Sequence, residues 1–246
     1  MGMLIRLGVV AVVIQVLAFM FFVVMLFAPL ASVLPTVGVS QSGQVRIEPG
    51  KGATSIVEAA QALSQHLSGV RSNLYDPNDP FMRPVYAYWK SICPGSNDDV
   101  CWYAHTGTLQ CVYFAVGTYY LAGYPLPQIA NAVDFWPKYQ HQQGWRTISS
   151  TEYPPSQRGF PAPGDLMIWK GGEAGHIAVV LAVTPPHNGK DGSVTVAQAN
   201  APGNRWPAGQ SADAANWYTM PLHPDLSIET WTKPDVYTVR GFLRQA

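Results

Sequence analysis

Hydrophobic positions are distributed very unevenly along this chain. Leu7 to Phe27 (LGVVAVVIQVLAFMFFVVMLF) is apolar throughout except at Gln15, and Pro29 follows. At ~1.5 Å per residue such a helix reaches about 31 Å, close to the ~30 Å hydrocarbon thickness of a bilayer. It has no polar face, so a helix half-buried on a soluble core does not account for it. It is also longer than the ~7–15-residue apolar region of a secretory signal, and Pro29-Leu30-Ala31 before Ser32 is a poor small-x-small cleavage site. The expectation is a retained anchor over residues 1–35, touching the membrane through 7–28. Arg6 next to a short N-terminal tail places the N-terminus inside and everything after about residue 36 outside.

Beyond the anchor the periodicity changes. Residues 36–54 are rich in Gly, Ser and Gln and read as a tether. Ile56, Ala59, Ala60, Leu63 and Leu67 form a helical stripe, with Ser55 and Glu58 in capping-box spacing and Gly69 as the stop. Phe81 to Ile92 predicts a second helix with Pro84 in its first turn. These two make a helical extension over 55–104. A third helix is expected in TLQCVYFAVGTYYLAG, starting near Thr106 or Thr108 and closed by Gly123 and Pro125, and a shorter fourth in LPQIANAVDFW. Then DLMIW, HIAVVLAV, SVTVAQAN and VYTVRGFL are four β-rich runs between Gly/Pro/Asn turns. Short turn-linked strands after helices predict an α+β fold, an antiparallel sheet with the helices packed in front. The stretch NAPGNRWPAGQSADAANWYTM reads as a long binding loop.

Composition narrows the partners. Fifteen basic residues balance fifteen acidic ones, so no global field draws nucleic acid or anionic lipid. Charged residues are only 12% of the chain, and none occurs between Arg6 and Arg46.

The candidate chemistry starts from three cysteines, Cys93, Cys101 and Cys111, confined to one short stretch. A structural staple and a reactive thiol are both open readings. Cys111 falls in the first turns of the third helix, where the positive end of the helix dipole lowers a thiol pKa. His176 opens an apolar strand. On the next strand, period two puts Val194, Val196, Gln198 and Asn200 on one face, so two amides continue an apolar surface and need partners. An amide carbonyl that accepts from one imidazole N–H leaves the other ring nitrogen to take a thiol proton.

LQCVYFA, IANAVDFW, PAPGDLMIW, GHIAVV, SVTVAQAN and VYTVRGFLR stand in the order and spacing of a CHAP domain. Residues 105–246 resemble this cysteine- and histidine-dependent amidohydrolase/peptidase family, related to the NlpC/P60 hydrolases. The resemblance implies a papain-like fold and cleavage of amide bonds in peptidoglycan, with Cys111 as nucleophile and His176 as base. Where members carry Glu-x-Asn, this chain has Gln198-Ala199-Asn200; Asn200 matches and is the expected main orienter of His176, while Gln198 can help orient the ring but cannot stabilise an imidazolium by charge. The Cys111 N–H is the expected oxyanion donor, with Gln110 as a weaker second. With Cys111 in that role, Cys93 and Cys101 are left to pair around a Pro-Gly-Asn-Asp turn, as an extracytoplasmic location permits. Trp206 and Trp217 are candidates to line the cleft, and Trp169 to pack the core.

No metal or other cofactor is expected: Asn97-Asp98-Asp99 lacks the ligand pattern of a calcium loop. His66, His105, His141, His187 and His223 show no metal-ligand spacing with the cysteines. The function expected is a membrane-anchored extracytoplasmic peptidoglycan hydrolase. The rival is a catalytically weak CHAP-fold wall-binding or assembly module of an envelope machine, favoured by Gln198 standing in place of Glu.

Overall fold

The computed structural model of the chain describes residues 55–67, 76, 78–93, 109–127, 129–150, 152–201, 215–230 and 237–246. The expected anchor and tether, Cys101, His105 and Trp206 lie outside the described residues. Among the described residues no helix is long and apolar enough to cross a membrane.

The fold is α+β. The described residues form four α-helices: α1 (Ile56–His66), α2 (Met82–Ile92), α3 (Cys111–Leu121) and α4 (Phe135–Tyr139). Their six strands are β1 (Trp145–Ser149), β2 (Leu166–Lys170), β3 (His176–Thr184), β4 (Gly192–Ala199), β5 (Ala215–Leu222) and β6 (Thr238–Gln245). The strands make one sheet in the order β1-β6-β2-β3-β4-β5, every neighbour antiparallel.

α1 begins where its polar signal stands, with the Ser55 side chain accepting from the Glu58 N–H at 3.1 Å. In α2, Asp79 accepts from the N–H groups of Phe81 and Met82, so the first turn is satisfied from outside the helix. α3 is buried on nearly every side, from Val112 to Tyr119 and at Leu121, which makes it the central helix. Gly117 is what lets α2 approach it: a Cβ there would come 2.9 Å from Nε1 of the fully buried Trp89. α1 and α2 therefore share one core with α3 and the sheet, although both precede residue 105.

Period-two alternation splits the sheet residues between two cores. Ile168, Ile177, Val179, Leu181, Ala197 and Ala199 face the helices, against Leu63, Phe114 and Tyr119. Met167, Trp169, Ala178, Val180, Val194 and Val196 form a second cluster with Met220, Leu222 and Phe242. Burial on both faces explains the unbroken apolar run of β3. Asp165, 1% exposed, ties the start of β2 to the end of β6 by accepting from Arg244 Nε at 2.7 Å and Nη2 at 2.9 Å. The Gly-Asp of PAPGDLMIW is thus a structural joint, where Gly164 O also accepts from Tyr119 OH.

Several elements differ from the sequence expectation. α3 starts at Cys111 rather than near Thr106 or Thr108, because Gln110 is extended and its carbonyl accepts the first helical bond, from Phe114 N–H. LPQIANAVDFW is not one helix from Leu126. It holds a 3-10 turn at Ala132–Asp134 before α4, and the Val133 N–H donates to Ala174 O instead of within a helix. Two strands went unseen in the pattern: β1, and β5 inside the stretch read as a loop. β5 pairs with β4 over all eight of its residues, and that cross-strand ladder is a tertiary partner no local pattern reveals.

Candidate functional site

β3 is bonded to β2 from its first residue, Trp169↔His176, but its ladder with β4 begins only at Val179↔Ala197. The two central strands therefore part at the end where His176 and Ala199 stand. Val180 N–H donates to Asp165 O on the β2 side, so by alternation Val179 and Ile177 aim their N–H groups toward β4. With the β4 ladder not reaching this far, the Ile177 N–H is bonded to the Cys111 sulfur. The first residue of α3 thus caps a notch in the sheet, with its thiol on the backbone of the residue next to His176.

Cys111 is half-buried and its thiol is free. Burial pushes the thiol up to about 11, against the N–H groups of Ile177, Val112 and Cys111 itself, which favour the thiolate. The expected lowering by the helix dipole is overturned. A dipole contributes ~0.3–1 kcal/mol at a helix terminus, whereas a rise from 9.0 to about 11 corresponds to nearly ~3 kcal/mol. Desolvation wins.

His176 is 4% exposed, and burial lowers it from 6.5 to about 4 despite the opposing hydrogen bond that it donates to Gln198. Its Nε2 lies 2.8 Å from Gln198 Oε1. A carbonyl oxygen only accepts, so Nε2 carries the proton and Nδ1 is the basic nitrogen. The fully buried Trp169, directly across the β2–β3 ladder, walls the ring at a centroid distance of 5.1 Å. Gly175 sets the entry into β3. Its φ is +66°, and a Cβ there would meet Val133 Cγ1 at 2.4 Å and Trp169 O at 2.5 Å.

Gln198 is fully buried on the β4 face that carries Val194 and Val196. Asn200 was expected on the same face, but β4 ends at Ala199 and Asn200 is exposed with φ +52°. A left-handed residue breaks the alternation, so the strand argument stops one residue short of it. Gln110 is half-buried and extended, and its side chain does not cap α3. The N–H groups of Cys111 to Tyr113 precede the first intrahelical bond and surround the thiol end of the helix. Trp217 is 41% exposed on β5, and Trp169 takes its expected place in the core. Of the other histidines, His66 bonds Asp79 at 2.5 Å and His223 bonds Asp191 at 2.9 Å. The role of the Ile177 N–H could not be read from side-chain identities; the signal for Trp169 against His176 was the strand register.

The family model of the CHAP domain matches residues 102–200, a span that contains Cys111, His176, Gln198 and Asn200. Over that stretch the chain is similar to CHAP domains, as its motif order suggested. CHAP domains are generally hydrolases of the amidase or peptidase type acting on peptidoglycan. No curated protein and no solved structure matches the chain.

Proposed function

We propose that the protein is a membrane-anchored, extracytoplasmic peptidoglycan hydrolase on a papain-like CHAP fold, working by a cysteine nucleophile. The observation that carries the reading is the seating of the Cys111 sulfur on the Ile177 N–H, one residue from His176, in the notch between β3 and β4. The pair rests as neutral thiol and neutral imidazole, so proton transfer accompanies attack. The sulfur adds to an amide carbonyl as its proton passes to His176 Nδ1. The oxyanion is met by the Cys111 N–H, with Gln110 as second donor. The imidazolium returns the proton to the leaving amine, giving a thioester. Water, deprotonated by His176, then hydrolyses the thioester to a carboxylic acid and the free thiol. Gln198 fixes the ring so that Nδ1 faces the thiol, Asn200 is the second orienter of His176, and Trp206 and Trp217 line the cleft. Residues 1–35 form the anchor, 36–54 the tether, 55–104 the helical extension and 105–246 the hydrolase domain. Cys93 and Cys101 form the staple, which leaves Cys111, whose thiol is free, for the chemistry.

The second reading, a catalytically weak wall-binding or assembly module of an envelope machine, is favoured by one observation. Burial opposes both charged partners, and Gln198 offers no charge in return. Digestion of purified sacculi separates the two readings. Release of new amine and carboxyl termini by the wild-type chain, lost by at least about a hundredfold in Cys111→Ser, supports the hydrolase, a change of ~2.8 kcal/mol in transition-state stabilisation. Sacculus binding with no release of fragments supports the module.

A further inference from the structure

The amide that orients His176 has an unanswered half. Gln198 spends its Oε1 on the imidazole, but its Nε2, fully buried, has no hydrogen-bond partner among the described residues. Such a donor costs free energy until it is matched. A terminal amide with one engaged end is also poorly fixed: a half-turn about its last torsion exchanges acceptor for donor. In that flipped state Gln198 would donate to Nε2, the ring proton would move to Nδ1, and the base facing the thiol would be lost.

The missing acceptor stands directly across the ladder. Gln198↔Asn216 is a register pair of β4 and β5, so both side chains leave the sheet on the same face. Asn216 is 7% exposed, and its Oδ1 is likewise buried without a partner among the described residues. One residue holds an unmatched donor and its neighbour an unmatched acceptor, not bonded to each other in the structure; directly opposed β-carbons lie about 4.5–5.5 Å apart, so a side-chain rotation brings the two amides within reach of one hydrogen bond.

We infer that Asn216 is a positioning residue: by a side-chain rotation its Oδ1 comes to accept from Gln198 Nε2 and locks the amide with Oε1 on the His176 ring. The chain His176–Gln198–Asn216 then sets the ring tautomer from β5, two side chains away from the thiol. The catalytic meaning of this rests on the hydrolase reading; the geometry does not. A neutral hydrogen bond of this kind fixes the amide by roughly tenfold over its flipped state, which is ~1.4 kcal/mol.

The test reads the tautomer directly. Histidine-labelled full-length protein in detergent is examined by two-bond ¹⁵N–¹H NMR at pH 7, where Nε2–H and Nδ1–H rings give distinct patterns. The expected result is an Nε2–H ring for His176 in the wild type and a tautomer mixture in Asn216→Ala. Asn216→Asp, which keeps an acceptor at the same place, should restore the wild-type pattern. On sacculi, kcat should fall about tenfold in Asn216→Ala with KM unchanged, and recover in Asn216→Asp. An unaltered His176 pattern in a folded Asn216→Ala overturns the proposal. If that variant does not fold, the wild type decides: a scalar coupling across the bond between Gln198 Nε2 and Asn216 Cγ is expected, and its absence overturns the proposal. A wild-type chain that digests no sacculi refutes the hydrolase reading but leaves the tautomer result to judge Asn216.

Discussion

Replacing Gln198 by Glu puts a carboxylate where a neutral carbonyl now lies 2.8 Å from His176 Nε2. His176 in the wild type is held down at about 4, chiefly by burial. Unit charges about 4 Å apart attract by ~4 kcal/mol at an effective dielectric of 20, and each ~1.36 kcal/mol moves a pKa by about one. The attraction by itself would lift the ring by roughly three pKa units. Desolvation of the buried carboxylate takes back part of this, since it costs several kcal/mol per ion before pairing. A net rise of about two, to near 6, is the expected balance. The base must be unprotonated for the thiol to hand over its proton, so the acid limb of kcat/KM should move up by about two pH units while the plateau rate rises with the stronger base. Paired measurements check this: the pH–rate profile on sacculi from pH 3.5 to 9, and the His176 ring titration by NMR. An acid limb displaced by less than about half a pH unit in a folded Gln198→Glu would refute the hydrogen bond as the control of the imidazole.

Other outcomes rest on the same geometry. His176 makes stability pH-dependent: between pH 6.5 and about 4 the unfolded chain takes up a proton that the folded chain refuses. Stability is thus fully present above pH 6.5 and falls by up to about 3 kcal/mol as the pH drops toward 4; urea melts at pH 7 and 4.5 should show the loss, and His176→Phe should remove most of it. Gly175→Ala should cost roughly 1–3 kcal/mol in denaturation, through the positive φ and the contact with Val133. By displacing His176 it should lower kcat/KM about tenfold or more. Non-reducing peptide mapping should join Cys93 to Cys101; a Cys101–Cys111 peptide would remove the nucleophile. After a high-salt wash the full chain should remain with the membrane fraction, and recovery of a chain beginning near Ser32 would show a cleaved leader instead.

Local pattern was enough for the elements whose cause is local. The α1 stripe with its Ser55 cap, the α2 span, and the runs that became β2, β3, β4 and β6 all carry their signals within a few residues. The pairing of Cys111 with His176 as candidates was legible from helix and strand position together with motif order. What escaped depends on contacts between segments distant in sequence. β5 is a strand because β4 lies beside it, although its own residues read as loop. The start of α3 is set by an extended Gln110. The pKa of Cys111 was misjudged in direction, because the dipole is a property of the helix while desolvation is a property of the surrounding core. Alternation along β4 brought Gln198 to the right face and extended one residue too far, to Asn200, since a single left-handed φ ends the period. Side-chain identity and spacing determine which residues are able to do this chemistry. Only the parting of β3 from β4, and the register that sets Asn216 against Gln198, decide which atoms those residues turn toward one another, because those relations are made by backbone hydrogen bonds across the sheet.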